Sequence, residues 1–169
     1  MTIYELKNQK KKETEKRIKK MKLEFARAPV LKLFENVEKY DQTVAQLGIP
    51  VTAMCEHHEV QFHGEVFIGY IPGKWLLGLS KLARVSEYFL NPTIKTIQEK
   101  ATKQILAYLD KRIDTAGVIV VIKANHGCIS LRGVKKPSLT VTIAASGCFA
   151  DPEKNFKSDF MNLVNSYKL

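Results

Sequence analysis

Residues 42–71, QTVAQLGIPVTAMCEHHEVQFHGEVFIGYI, decide the fold. Residues 42–55 and 59–71 both read as strands. The second alternates Val60 and Phe62, then Val66, Ile68 and Tyr70, with His63-Gly64 as a turn between. So short a link between consecutive strands makes them antiparallel neighbours. Pro72-Gly73 closes the section, and Trp75–Leu79 adds a short apolar strand.

Beyond it, Ser80 reads as the N-cap of a helix over 80–90, with Leu82, Val85 and Phe89 facing inward. Asn91-Pro92 breaks that helix. A longer one over 93–113 carries Ile94, Ile97, Ala101, Ile105 and Tyr108 at helical spacing. Val118–Ala124 has the composition of a buried strand. Cys128–Val134 and Thr140–Ala145 read as two further strands, and Asp151-Pro152 as the start of a last helix faced by Phe156, Phe160, Leu163 and Tyr167. Upstream, residues 11–27 predict a helix capped by Thr14, with a narrow stripe of Ile18, Met21 and Phe25. Strands in sequence with helices between them predict an α+β fold, an antiparallel sheet with helices packed on one face and an N-terminal helix before it. The natural division is a basic N-terminal helical arm over 1–30 and a main domain over 31–169.

The chain has 169 residues, 45% of them hydrophobic and 26% charged, which suits one globular domain. Its longest apolar runs are too short to span a bilayer. No apolar segment follows the first residues, so the expectation is a cytoplasmic protein. Three cysteines without an export signal favour metal ligation or a thiol role over a disulfide framework. Net charge is +10, and residues 1–27 alone hold ten Lys/Arg against four Asp/Glu. That balance points to an anionic partner, with a solvated basic helix as the plain alternative.

The chemistry concentrates in Cys55-Glu56-His57-His58. Cys-x-x-His lets both side chains reach one tetrahedral ion from a tight turn, and Cys128, at the far end of the buried strand, supplies a third donor. Three ligands leave the fourth position open to water, the catalytic arrangement, whereas a structural site takes four. His57 and His126 then lie beside the metal as acid/base groups. His63 reads as a turn residue and Cys148 as a small buried hydrophobe. Lys81 and Arg84, on the helix opened by Ser80, and Arg132 suit phosphate. Gln98-Glu99 matches a base edge in chemistry, although its plain reading is a surface helix pair.

These motifs together resemble the GTP cyclohydrolase I family. The resemblance rests on Cys55-Glu56-His57-His58, Tyr70-Ile71-Pro72, Gly78 to Arg84, Gln98-Glu99 with Thr102 to Ile105, His126-Gly127-Cys128 and Arg132-Gly133-Val134, in order over about residues 13–165. It implies a tunnelling fold closed into an oligomeric barrel, a homodecamer with active sites at subunit interfaces. It also implies conversion of GTP and water to formate and 7,8-dihydroneopterin triphosphate. By the same resemblance, Cys55, His58 and Cys128 hold Zn2+, His126 acts at N7, and His57 assists ring opening. Glu99 binds the guanine edge with Gln98 nearby, and Ser80 meets the ribose. Lys81, Arg84 and Arg132 take the triphosphate, reached also by Arg17 and Lys20 of a neighbouring subunit. The sequence departs from the family pattern at Glu15, Glu59, Gln61, Lys100, Ala101 and Gly127, none of them a ligand or acid/base position.

Two other readings compete. A related tunnelling-fold enzyme acting on another purine or pterin shares most of these motifs. A basic nucleic-acid-binding protein fits the charge but lacks a helix-turn-helix, a zinc-finger pair or an aromatic platform.

Overall fold

A computed structural model describes residues 8–17, 19 and 27–168. Residues 8–17 are helical and exposed throughout, an N-terminal helix that is already formed before residue 11 and holds Thr14 inside it, its hydroxyl donating to Lys10 O, rather than at its cap. Its expected stripe of Ile18, Met21 and Phe25, and Lys20 with it, lies outside the described residues.

The main sheet has five strands, in the order β5-β2-β3-β6-β7. These are β2 (Val44–Cys55), β3 (Gln61–Pro72), β5 (Lys95–Thr96), β6 (Thr115–His126) and β7 (Leu139–Ala145). A separate ribbon pairs β1 (Leu33–Glu35) with β4 (Trp75–Leu77). Beyond the N-terminal helical segment, the α-helices are α1 (Ser80–Phe89), α2 (Gln98–Asp110), the single turn α3 (Gly127–Ser130) and α4 (Phe156–Ser166). All strand pairs are antiparallel except β2 with β5.

The central strands β3 and β6 are buried on both faces, as the unbroken apolar run Val118–Ile122 requires. Val66, Ile68, Tyr70, Val118, Val120 and Ile122 pack against Leu82 and Val85 of α1 and Ala101, Ile105 and Leu109 of α2. Phe67, Ile71, Ile119 and Val121 face the other way, against Phe149, Phe160 and Val164. Helices therefore cover both faces. The one-face expectation holds for α1 and α2 and fails for α4, because β3 and β6 alternate apolar residues to both sides and both need cover.

Several local expectations change with tertiary context. His63-Gly64 is not a turn but a continuous part of β3, where Gly64 pairs with Val51 and Ala124. The turn falls at residues 56–59, with Glu59 at a positive φ of 54°. Ser80 is the first residue of α1 rather than its cap; Leu79 holds that place without a side-chain hydrogen bond. The long helix starts at Gln98, not at 93, because Lys95–Thr96 pairs in parallel with Met54–Cys55. The segment after His126 is a helical turn instead of a strand. At the C-terminal end, Asp151 accepts a hydrogen bond from the Glu153 N–H in a turn, and α4 begins only at Phe156. Cys148 is buried, as a small hydrophobe would be.

Two fixed points hold the sheet's far end. Between Gln46 and Ile49 the β2–β3 register shifts at Gly48, whose φ is 67°. A Cβ there would stand 1.9 Å from the Tyr167 hydroxyl, so the irregularity is where the C-terminal segment docks. Tyr70 ties the ribbon to the sheet: the buried Leu77 N–H donates to its hydroxyl at 2.9 Å, and burial pushes the phenol's pKa up. Replacing Tyr70 by Phe leaves that N–H without an acceptor. Urea denaturation should show Tyr70→Phe less stable by about 1–3 kcal/mol, the cost of an unsatisfied buried donor.

Candidate metal centre

The ends of β2 and β6 lie at one end of the sheet because β3 pairs with both. Met54 is opposite Gln61, and His126 is opposite Phe62. The intervening turn is clamped by main-chain bonds. The Cys55 N–H donates to Val60 O, the Glu59 N–H to Cys55 O, and the Glu56 N–H to Thr96 O on β5. Outside it, Lys95 pairs with Glu59, and Lys100 with Glu56 at 3.5 Å. The hydrogen bond and charge of Lys95 hold the Glu59 carboxyl below its ordinary range.

Within this frame the two sulfurs of Cys55 and Cys128 and a ring nitrogen of His58 all lie within 4.8 Å of one another. Cys55 Sγ stands 3.6 Å from His58 Nδ1. Tetrahedral bonds of roughly 2.0–2.3 Å put neighbouring donors about 3.3–3.8 Å apart, so this pair already has the spacing. Two thiols and an imidazole are the soft-to-borderline set that suits Zn2+ and not Mg2+ or Ca2+. Burial, and next the neighbouring Cys55, push the Cys128 thiol up, while Arg132 pulls it down. A divalent cation held between the two sulfurs would favour their metal-binding thiolate forms. The residues present therefore fit the ion that the sequence implied.

Cys128 reaches this point on α3 only because Gly127 passes close to β3. A Cβ on Gly127 would stand 2.5 Å from Val60 Cγ1 and 2.8 Å from Gln61 O. Glycine at this position thus has a packing reason.

A cavity of about 210 Å3 opens beside the three donors, lined by His57, Gln98, Glu99 and His126 among others. His57 is exposed, its ring 6.1 Å from that of His58 in an edge-on arrangement. Glu99 is exposed in the first turn of α2. His126 stacks on Phe62, with centroids 4.6 Å apart, and contacts Gln98 Oε1 through Nε2 at 2.7 Å. Burial lowers the pKa of His126 and the charge of Glu99 partly restores it, so the ring favours the neutral form. Gln98 is buried rather than part of a surface pair, and its side chain turns toward β6 and β7. A larger groove of about 790 Å3, lined from β2, β3, β6 and α1, contains none of the three donors.

Arg132 does not line the cavity but stands next to one of the three donors: its Nη2 donates to His58 O at 3.3 Å. Ser80, Lys81 and Arg84, on α1, do not line the cavity, nor does Arg17 in the N-terminal helical segment. Sequence reasoning missed Phe62, Thr102, Thr140 and Thr142, which support His126 and Gln98. The signal for the last two was the alternation of β7, which puts Thr140 and Thr142 on the α2 side.

Comparison with known proteins accords with this geometry. The sequence profile of the family described as GTP cyclohydrolase I matches residues 4–165. GTP cyclohydrolase 1 of Sulfurihydrogenibium sp. is 39% identical over 160 residues, covering 92% of this chain and 83% of that protein. The Aquifex aeolicus protein of the same name is 42% identical over 157 residues, covering 90% and 83%. The Rattus norvegicus protein is 43% identical over 130 residues, and the match covers 76% of this chain and 53% of that longer protein. Among solved structures, the apo form of the archaeosine synthase QueF-Like superposes with a TM-score of 0.46 at 14% identity. The overlap covers 64% of this chain and 94% of that one, a likeness too distant to bear on function or assembly.

Cys128→Ser and His58→Ala should each lower zinc affinity by more than the roughly 10–100-fold typical of changes outside the ligand set. Elemental analysis after dialysis reads the metal, and circular dichroism should show the sheet retained.

Proposed function

Because this chain belongs to the GTP cyclohydrolase I family, we propose that it opens the purine ring of GTP, releasing C8 as formate and leaving 7,8-dihydroneopterin triphosphate. The observation that carries this reading is the convergence of Cys55, His58 and Cys128 beside a cavity that also holds His126 and Glu99.

A Zn2+ ion held by those three side chains supplies Lewis acidity toward water and the purine. The chain's own groups do the rest. The Glu99 carboxylate offers two acceptors to the N1–H and 2-amino donors of guanine, which fixes the base and excludes adenine. His126, favouring the neutral form, exchanges a proton at N7 as the imidazole ring opens. His57, exposed at the cavity, assists the opening and the later ribose rearrangement. Arg132 binds the triphosphate, with charge-assisted hydrogen bonds to its oxygens.

One chain does not complete this site. Ser80, Lys81, Arg84 and Arg17 carry phosphate and ribose chemistry but stand away from the cavity, which supports their delivery by a neighbouring copy. Lys20 joins them in this reading. The edge strand β7 supports the same assembly. Leu139, Val141 and Ile143 are 55%, 45% and 42% exposed along it, and its outer main chain has no strand partner among the described residues. The reading is a homo-oligomeric barrel, a decamer by family resemblance, working in the cytoplasm. No helix among the described residues is long and apolar enough to cross a membrane.

Incubation of the zinc-loaded protein with GTP should release formate and build a fluorescent pterin. No turnover at full metal loading would transfer the reading to another purine or pterin substrate. Arg132→Ala should raise KM for GTP about ten- to a hundredfold with a smaller effect on kcat, since it removes a charge-assisted contact to substrate. Val141→Glu with Ile143→Glu should shift the protein to smaller species in analytical ultracentrifugation and lower turnover with it.

A further inference from the structure

Gln98 is 1% exposed, and its side-chain hydrogen bonds all run to protein groups. Its Nε2 lies 3.0 Å from Ile122 O, 3.1 Å from Thr140 O and 3.1 Å from Thr142 Oγ1. Two of these are main-chain carbonyls, which only accept hydrogen bonds. The atom facing them must be the NH2 group, so the amide has one possible orientation. The hydroxyls agree. Thr102 Oγ1 donates to Gln98 O at 2.7 Å. Thr142 must then donate to Thr102 across their 2.7 Å contact, which leaves Thr142 Oγ1 free to accept from Gln98 Nε2.

With the NH2 group committed to the strands, Gln98 Oε1 is the atom 2.7 Å from His126 Nε2. A carbonyl oxygen has no proton to give. His126 Nε2 must carry one, and in the neutral ring Nδ1 then bears the lone pair. A half-turn of the imidazole would put a C–H against Oε1 and lose this bond, while the stack on Phe62 fixes the ring plane.

We propose that Gln98 is a positioning residue for His126: anchored by the carbonyls of Ile122 and Thr140, it fixes the imidazole as the Nε2–H tautomer, with Nδ1 as the proton-exchanging atom, and makes no contact with the purine. This deepens the cyclohydrolase reading and rests on it for its catalytic half. The expected role of Gln98 beside the guanine edge passes to Glu99 alone.

The test is magic-angle-spinning 15N NMR on the zinc-loaded protein labelled at histidine, a method insensitive to assembly size. The chain has four histidines, and a His126→Gln sample identifies the signals of interest. Wild type should show His126 Nε2 as a protonated, pyrrole-like nitrogen and Nδ1 as an unprotonated one. The opposite pattern, or an equal mixture, overturns the proposal whatever a Gln98 variant does. Gln98→Met, of similar volume and without hydrogen-bonding groups, should scramble the tautomers. It should also lower kcat roughly a hundredfold or more, the scale of general acid–base catalysis, while KM for GTP changes less than about threefold. A rise in KM with kcat intact would instead make Gln98 a purine contact. Failure of the functional reading looks different: the tautomer pattern would be present and no GTP would turn over.

Discussion

Register along β3 is the constraint on which the rest depends. This strand pairs Phe62 with His126 on one side and Gln61 with Met54 on the other, and so brings two distant stretches of chain to a common end of the sheet. A slip by one residue would exchange every side chain between the faces. Here that would move Val66, Ile68 and Tyr70 away from α1 and α2 and leave two apolar clusters mismatched. Burial on both faces therefore enforces the site's geometry as a by-product of core packing. The Cys55 and Cys128 sulfurs meet because large hydrophobic surfaces elsewhere tolerate no other alignment.

On top of this frame, short polar contacts convert approximate placement into chemistry. The parallel pairing of Lys95–Thr96 with Met54–Cys55 holds the turn that carries His57 and His58. It also delivers the chain directly into α2, so Gln98 and Glu99 emerge beside the same turn with opposite fates. Gln98 is directed into the protein and Glu99 outward. Neighbouring residues at a helix start project about 100° apart, and one helical step separates a buried amide from an exposed carboxylate.

Much of this was legible in the sequence. The long strands, the buried run at 118–122 and the Cys55–His58–Cys128 set follow from periodicity and ligand spacing. What was not legible depends on partners remote in the chain. The start of α2 moved because Lys95–Thr96 found β2, a contact no local pattern around Ile94 encodes. Cys128–Val134 has strand-like composition, yet the close passage of Gly127 against Val60 turns the chain into α3 instead. The cover on the second face was missed because alternation in β3 was read for one side only. Gln98 looked like a surface residue, since nothing nearby in sequence announces the carbonyls of Ile122 and Thr140.

The exposed row on β7 bears on how the chain survives its own synthesis. Leu139–Ala145, LTVTIAA, contains no charge and no proline and has high strand propensity, the composition of a segment prone to stack into cross-β aggregates. Lys135, Lys136 and Pro137 stand immediately before it, where gatekeeper residues are placed against such stacking. Removing those two charges would leave newly made chains open to edge-to-edge stacking along β7.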